Sequence, residues 1–129
     1  MKKVKFELNS EDSLIVVEGK FKNHKVFLAL DTGASHTTLD LATLIIAGYS
    51  ETDAVREIEI ETANGVIVGY VFKVDKFYAL ETLKENIEIC AYDFFKHHLL
   101  TDFDGVLGLD FFKKVKFCID MNNCEITIE

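Results

Sequence analysis

The chain contains no proline, only three cysteines, and fewer basic than acidic residues in its 129 positions. Without proline there is no material for a Pro-rich linker or tail. Cys90, Cys118 and Cys124 are odd in number and form no Cys-x-x-Cys pair. The expectation is therefore three reduced, mostly buried thiols, not a disulfide framework or a zinc site. Cys118 and Cys124 flank an expected hairpin turn, which leaves a strand-to-strand bridge as the alternative for that pair. No stretch approaches the ~20 apolar residues of a membrane-spanning helix, and no long apolar core follows the charged start Met1–Glu7, so a cytoplasmic protein is expected. Lys and Arg number 14 against 22 Asp and Glu, a net charge of −8. The acidic residues are spread along the chain, and no basic patch with interleaved aromatics offsets them, so nucleic acid is not an expected partner. A phosphate loop is missing too, because Gly105-Val106-Leu107-Gly108 has no Lys-Ser/Thr after it. No internal repeat or low-complexity tract is visible.

What is present is globular. Hydrophobic residues make up 49% and charged residues 28%, values that do not suit wholesale disorder. The length fits one domain spanning residues 1–129, able to bury roughly two-thirds of the surface of its unfolded chain.

Read along the chain, the pattern is mainly β. Lys3–Leu8 and Leu14–Glu18 are strand-like, joined by the turn composition Asn9-Ser10-Glu11-Asp12. Gly19–His24 turns, and Lys25–Leu30 is an apolar strand. Leu41–Ala47 predicts a short helix with Asp40 near its start and Gly48 as its stop. Ala54–Thr62 alternates, with Val55, Ile58 and Ile60 set among Arg56, Glu57, Glu59 and Glu61. Asn64-Gly65 is a strong hairpin signal because both residues tolerate positive φ, and Val66–Val74 is the expected return strand. Asn86–Ala91 alternates again. Asp93–Asp104 reads as a short helix or a loop. Val106–Phe112 turns into a short helix, and Val115–Ile119 with Glu125–Ile128 makes a C-terminal hairpin around Asp120-Met121-Asn122-Asn123. The aromatic residues Phe94, Phe95, Phe103, Phe111, Phe112 and Phe117 are assigned mostly to the core, with some available to line an apolar cleft.

The chemistry-bearing segment is Asp31-Thr32-Gly33-Ala34-Ser35, placed directly after the apolar run Val26–Leu30. Taken alone, the Asp-Thr-Gly triplet is also explained as a strand end followed by an Asx-type turn. Two further elements give it context. The Asn64-Gly65 hairpin follows it, and far downstream lies Asp104-Gly105-Val106-Leu107-Gly108-Leu109-Asp110. In order and spacing these parts resemble the retropepsin-like aspartic proteases, the single-domain relatives of pepsin, over nearly the whole chain.

That resemblance implies a closed, β-barrel-like acid-protease fold with one or two short helices. It implies that Asp31 is the catalytic carboxylate and that Thr32, Gly33, Ala34 and Ser35 support the active-site loop. Thr32 would hydrogen-bond across to a partner loop, and Gly33 would leave room for a neighbouring backbone. Ala63, Asn64 and Gly65 would form the tip of a flap over bound peptide. Val106, Leu107 and Gly108 would pack behind the catalytic loop. His36 reads as a surface or pocket-wall residue and not as a general base.

Aspartic proteolysis needs two carboxylates about 3 Å apart sharing one proton. This chain offers one suitable Asp. Asp104-Gly105 lacks the intervening hydroxyl residue, and Asp110 lies beyond Gly108, so neither reads as a second triplet. A homodimer pairing two copies of Asp31 is therefore implied, with a polypeptide substrate, no metal and no cofactor. The terminal strands Lys3–Leu8 and Glu125–Ile128 are the candidate pairing elements between copies, with Lys2, Lys3 and Lys5 facing Glu125 and Glu129. Absence of a pro-segment implies no zymogen stage. His24, Cys90, His97 and His98 lack ligand spacing and are not assigned to a metal. The alternative function is a non-catalytic peptide-binding or dimerisation module on the same fold.

Overall fold

The computed structural model describes residues 1–8, 14–97, 99 and 101–129. Its strands are β1 (Lys2–Lys5), β2 (Glu7–Leu8), β3 (Ile15–Phe21), β4 (His24–Leu30), β5 (Thr38–Asp40), β6 (Arg56–Thr62), β7 (Gly65–Ala79), β8 (Thr82–Tyr92), β9 (Gly105–Leu107), β10 (Phe117–Asp120) and β11 (Glu125–Ile128). The single α-helix among the described residues, α1, spans Leu41–Ile46, and 3-10 turns cover Glu51–Asp53 and Leu109–Phe112. The fold is mainly β, as the alternating patterns predict.

One sheet has eight strands in the order β2-β3-β4-β9-β5-β8-β7-β6, and β3 also pairs with β7. That extra pairing bends the sheet into a ring. A second sheet has three strands, β1-β11-β10. Within the ring, β4 runs parallel to β9 and β5 parallel to β8, while β5 and β9 are antiparallel. Central strands buried on both faces carry continuous apolar runs. On β4, Val26, Leu28 and Ala29 are buried while Phe27 between them is 43% exposed, so this strand is covered on both faces only toward its C-terminal end. Phe21, Leu28, Leu39, Leu44, Phe72, Phe77, Ile89, Leu107, Phe111 and Ile126 form the centre of the core. Each such side chain contributes about 1.5–3 kcal/mol through its burial.

Helix α1 begins where the sequence predicts. Asp40 caps it by accepting from the Ala42 amide at 3.3 Å, and Gly48 follows it with φ +104°. Phe111 and Phe112 are buried and Phe112 stacks on Phe117 at 3.9 Å, whereas Phe95 stands 78% exposed.

The structure redraws several boundaries. Lys3–Leu8 is not one strand: buried Phe6 donates its amide to the Cys124 carbonyl and carries the chain from the small sheet into the large one. The strand after Leu14 runs on to Phe21, and the turn at Lys22-Asn23 is tight, with φ of 46° and 63°. The return strand β7 is longer than expected and continues to Ala79. It meets β8 through Leu80-Glu81, whose φ values are 52° and 55°. Such a turn normally advertises itself with Asn or Gly. Here Leu80 is 2% exposed, so burial of its side chain offsets the unfavourable backbone. Cys118 lies opposite Thr127, not Cys124, and all three cysteines are unbridged. Cys90 is buried, Cys124 half-buried and Cys118 exposed, so burial holds for only part of the set. The turn assigned to Asn9-Ser10-Glu11-Asp12 lies outside the described residues.

Candidate functional site

Strand β4 delivers Asp31 to the edge of the core. Its parallel partner β9 matches Leu28 with Gly105, Ala29 with Val106 and Leu30 with Leu107, and the ladder continues one residue further as the Asp31 amide donates to the Leu107 carbonyl at 3.0 Å. The chain then turns. Gly33 donates its amide to Oδ1 of Asp31 at 2.9 Å, and Ala34 donates to the Asp31 carbonyl at 3.1 Å. The bland Asx-turn geometry and the motif geometry thus coincide in this loop. Asp31, Thr32 and Gly33 are exposed, and the Thr32 hydroxyl has no hydrogen-bond partner among the described residues. Ser35 Oγ lies 2.8 Å from His36 Nδ1, with both residues exposed.

Val106, Leu107 and Gly108 lie directly behind this loop. Leu107 is fully buried. A Cβ on Gly108 would sit 2.6–2.9 Å from backbone atoms of His36 and Ala34, so the two segments touch main chain to main chain. Leu109 donates its amide to the Ala34 carbonyl at 2.8 Å. Gly105 is equally confined, because a Cβ there would collide with the Thr38 carbonyl oxygen of β5.

The two other carboxylates of the downstream segment serve the backbone. Asp104 Oδ2 accepts from the Phe27 amide, and the Asp104 amide donates to the Phe27 carbonyl, both at 2.8 Å. Asp110 Oδ1 accepts from the amide and the hydroxyl of Thr37 at 2.9 and 2.8 Å.

Opposite the loop stands the β6–β7 hairpin. Its two-residue tip is Ala63-Asn64, and Gly65 pairs with Thr62. Only Gly65 takes a positive φ, +112°, so the left-handed position is the residue after the tip and not Asn64. Thr62 closes the turn by donating its hydroxyl to the Gly65 carbonyl and accepting from the Asn64 amide.

Between loop and hairpin lies a cleft of about 560 Å³. Gly33, Ala34, Ser35 and His36 form one wall, and Ile58, Ile60, Val71 and Cys90 form the apolar opposite side. Asp31 itself is not among the lining residues. Arg56 and Glu88 cross this second wall as a bidentate pair at 3.1 and 2.8 Å, joining β6 to β8 over the intervening β7. The Arg56 hydrogen bonds hold the Glu88 carboxyl below the usual carboxylate range. Burial pushes the Cys90 thiol up, with Asp110 adding to the shift. A larger hollow of about 740 Å³, lined by Phe6, Leu8, Leu14, Val16 and neighbours, includes no residue of the Asp31 loop. The smaller cleft is the one bordered by residues of the Asp31 loop.

The histidines among the described residues stand apart. His24 opens β4, His97 packs edge-on against Tyr92 at 5.9 Å, and His98 lies outside the described residues. No three His, Cys, Asp or Glu side chains converge among the described residues. Likewise no described helix is long and apolar enough to cross a membrane. Sequence reasoning missed Thr37, Arg56 and Glu88 as members of this region. Thr37 had a signal in being a third hydroxyl residue within the loop, but the Arg56–Glu88 pair had none, since its members sit on strands separated by β7.

The terminal strands pair within one chain: Lys2 matches Ile128 and Lys5 matches Glu125, with Lys5 Nζ 3.3 Å from the Glu125 carboxylate. Lys2 Nζ turns instead to the Glu81 carbonyl at 2.7 Å. The charge pairing expected between copies is thus met, for Lys5, inside the protomer.

Comparison with known proteins agrees with this architecture. A solved retropepsin-like aspartic protease from Rickettsia conorii superposes with a TM-score of 0.73 over 100% of this chain and 99% of that one, at 20% identity. At that identity the likeness is one of fold. No curated protein matches the sequence. The family model described as "gag-polyprotein putative aspartyl protease" matches residues 17–114, from β3 through the segment behind the Asp31 loop. With well over half of its length matched, the chain belongs to this retropepsin-like aspartyl protease family.

Proposed function

We propose that this chain is an aspartic endopeptidase that cuts extended polypeptides at a site shared by two copies of itself, each acting as one domain over residues 1–129. The observation that carries the reading is the exposed Asp31-Thr32-Gly33 turn, anchored to Leu107 from behind and open in front. A lone carboxylate there has little catalytic use. Two copies about 3 Å apart would share one proton, because like charges so close cannot both ionise. The unprotonated oxygen then takes a proton from water as the water attacks the scissile carbonyl, and the protonated carboxyl polarises that carbonyl. The Thr32 hydroxyl, without a hydrogen-bond partner among the described residues, would bond the second loop and hold the pair together. Ala63, Asn64 and Gly65 would close over substrate and exclude water, and Ser35 and Ala34 would border the bound peptide. The unbridged thiols support a reducing, cytoplasmic setting.

The test is a peptide-library digest with wild type and Asp31→Asn side by side, with sedimentation of both. Cleavage by a dimeric wild type, lost in a dimeric Asp31→Asn, is the expected result. Unchanged cleavage by Asp31→Asn, or cleavage by a strict monomer, would overturn the proposal. Peptide binding without cleavage would favour the binding-module reading.

A further inference from the structure

Asp110 lies outside the Asp-Thr-Gly turn, yet its carboxylate is committed to the loop that bears it. The segment 31–37 is irregular and mostly solvent-facing: Asp31, Thr32, Gly33, Ser35 and His36 are exposed, Ala34 is half-buried, and only Thr37 is fully buried. Apolar burial therefore does little to place this loop. Hydrogen bonds place it instead, most of them to residues 107–110, with the Thr37 carbonyl also accepting the Cys90 amide of β8 at 3.0 Å. At its start the Asp31 amide meets the Leu107 carbonyl, and in its middle the Ala34 carbonyl meets the Leu109 amide. At its end Asp110 Oδ1 accepts both the Thr37 amide and the Thr37 hydroxyl, while Thr37 Oγ1 accepts the Gly108 amide at 3.2 Å.

Thr37 is also the only buried polar side chain among the described residues, and its hydroxyl both donates and accepts a hydrogen bond. A threonine hydroxyl has one proton and two lone pairs. Here the proton goes to Asp110 and a lone pair to Gly108, so one side chain bridges the far end of the loop and the strand end behind it. An ionised carboxylate makes the stronger kind of acceptor for such bonds.

We infer that Asp110 is a positioning residue: acting through Thr37, it fixes the end of the loop and thereby sets where Asp31 stands. The inference rests on the proposed dyad for its catalytic consequence. Displacing a reacting group by about 1 Å can cost on the order of 100-fold in rate. A looser loop would also let two Asp31 carboxylates drift apart. Weaker coupling would draw their two apparent pKa values together and narrow the bell of kcat/KM against pH.

The experiment compares Asp110→Ala, Thr37→Val and Thr37→Ser with wild type in the dimeric protein, reading kcat, KM, the pH profile and amide exchange. Thr37→Val keeps the side-chain shape and puts a methyl group in place of the hydroxyl. Expected are a fall in kcat of about 10–100-fold for Asp110→Ala and Thr37→Val, with KM little changed, a narrowed pH bell, and restoration by Thr37→Ser. The Ala34, Gly108 and Leu109 amides should lose exchange protection while those of β7 and β8 keep theirs. An unchanged kcat and pH bell in a folded Asp110→Ala dimer overturns the inference. So does a loss of protection spread evenly through β7 and β8, which would make Asp110 a general stabiliser. If Asp31→Asn still cleaves, the dyad reading fails, and local exchange at Ala34, Gly108 and Leu109 still decides whether Asp110 holds the loop.

Discussion

The amide of Asp31 and the carbonyl of Leu107 meet at 3.0 Å, extending the parallel β4–β9 ladder by one bond beyond the end of β4. That bond ties the start of the exposed loop to the strand end behind it, as Asp110 and Thr37 tie its far end. It depends on the downstream segment staying in close main-chain contact with the loop.

Gly108 is where that contact leaves no room. Gly108→Ala would force a methyl group to within 2.6–2.9 Å of His36 and Ala34 backbone atoms, and backbone yields less readily than a side chain. The expected cost is about 1–3 kcal/mol in urea or guanidinium unfolding, with a larger proportional loss of peptide cleavage. Wild-type stability in Gly108→Ala would contradict the close packing.

The Arg56–Glu88 pair should make stability depend on pH in one direction. The Glu88 carboxyl is lowered by its bonds to Arg56. A depressed carboxylate contributes stability above its unfolded-state value, and the contribution is lost as pH falls through its folded-state value. Both side chains are solvent-accessible, so the effect is small. Thermal unfolding of wild type and Glu88→Gln should differ at neutral pH and converge in acid. A difference that grows as pH falls would reverse the sign and refute this account.

The three thiols should react in the order of their exposure. Cys118 is exposed, whereas Cys90 is 7% exposed and its thiol is pushed up by burial. At mildly alkaline pH, mass spectrometry after brief alkylation should find Cys118 labelled well before Cys90. Because the raised thiol favours the neutral form in the folded state, its contribution to stability is lost as pH rises through its folded-state value. Cys90 labelling ahead of Cys118 would show that the cleft wall opens readily.

Association of two copies should tighten when salt is added. Each copy carries −8, and repulsion between exposed charges falls as the Debye length shortens from about 10 Å at 0.1 M salt. Sedimentation at several ionic strengths measures it. Weakening by salt would mean that attractive ion pairs dominate the interface.

Much of the fold was legible because it is written in local periodicity. Ala54–Thr62 alternates and becomes β6, Asp40 and Gly48 bracket α1, and the apolar run before Asp31 becomes β4. The hairpin turn around Asp120-Met121-Asn122-Asn123 was legible without any Gly, but the reversal at Leu80-Glu81 was not. Leu80-Glu81 reverses the chain because Leu80 is buried by partners from elsewhere in the molecule, and no local signal records that. The break at Phe6 escaped detection for the same reason.

The candidate site divides along the same line. By its order of residues alone, the sequence determined the Asp31-Thr32-Gly33 turn, the hairpin around Asn64-Gly65 and the apolar pair before Gly108, since a strand end, a turn and a glycine are each specified by neighbours in the chain. Only the tertiary structure decided what Asp104, Asp110 and Glu88 do. Asp104 and Asp110 each accept backbone amides, from Phe27 and Thr37, and Glu88 holds Arg56 across a strand. A carboxylate takes its role from the donors that surround it, and here those donors come from distant parts of the chain that only folding brings within 3 Å.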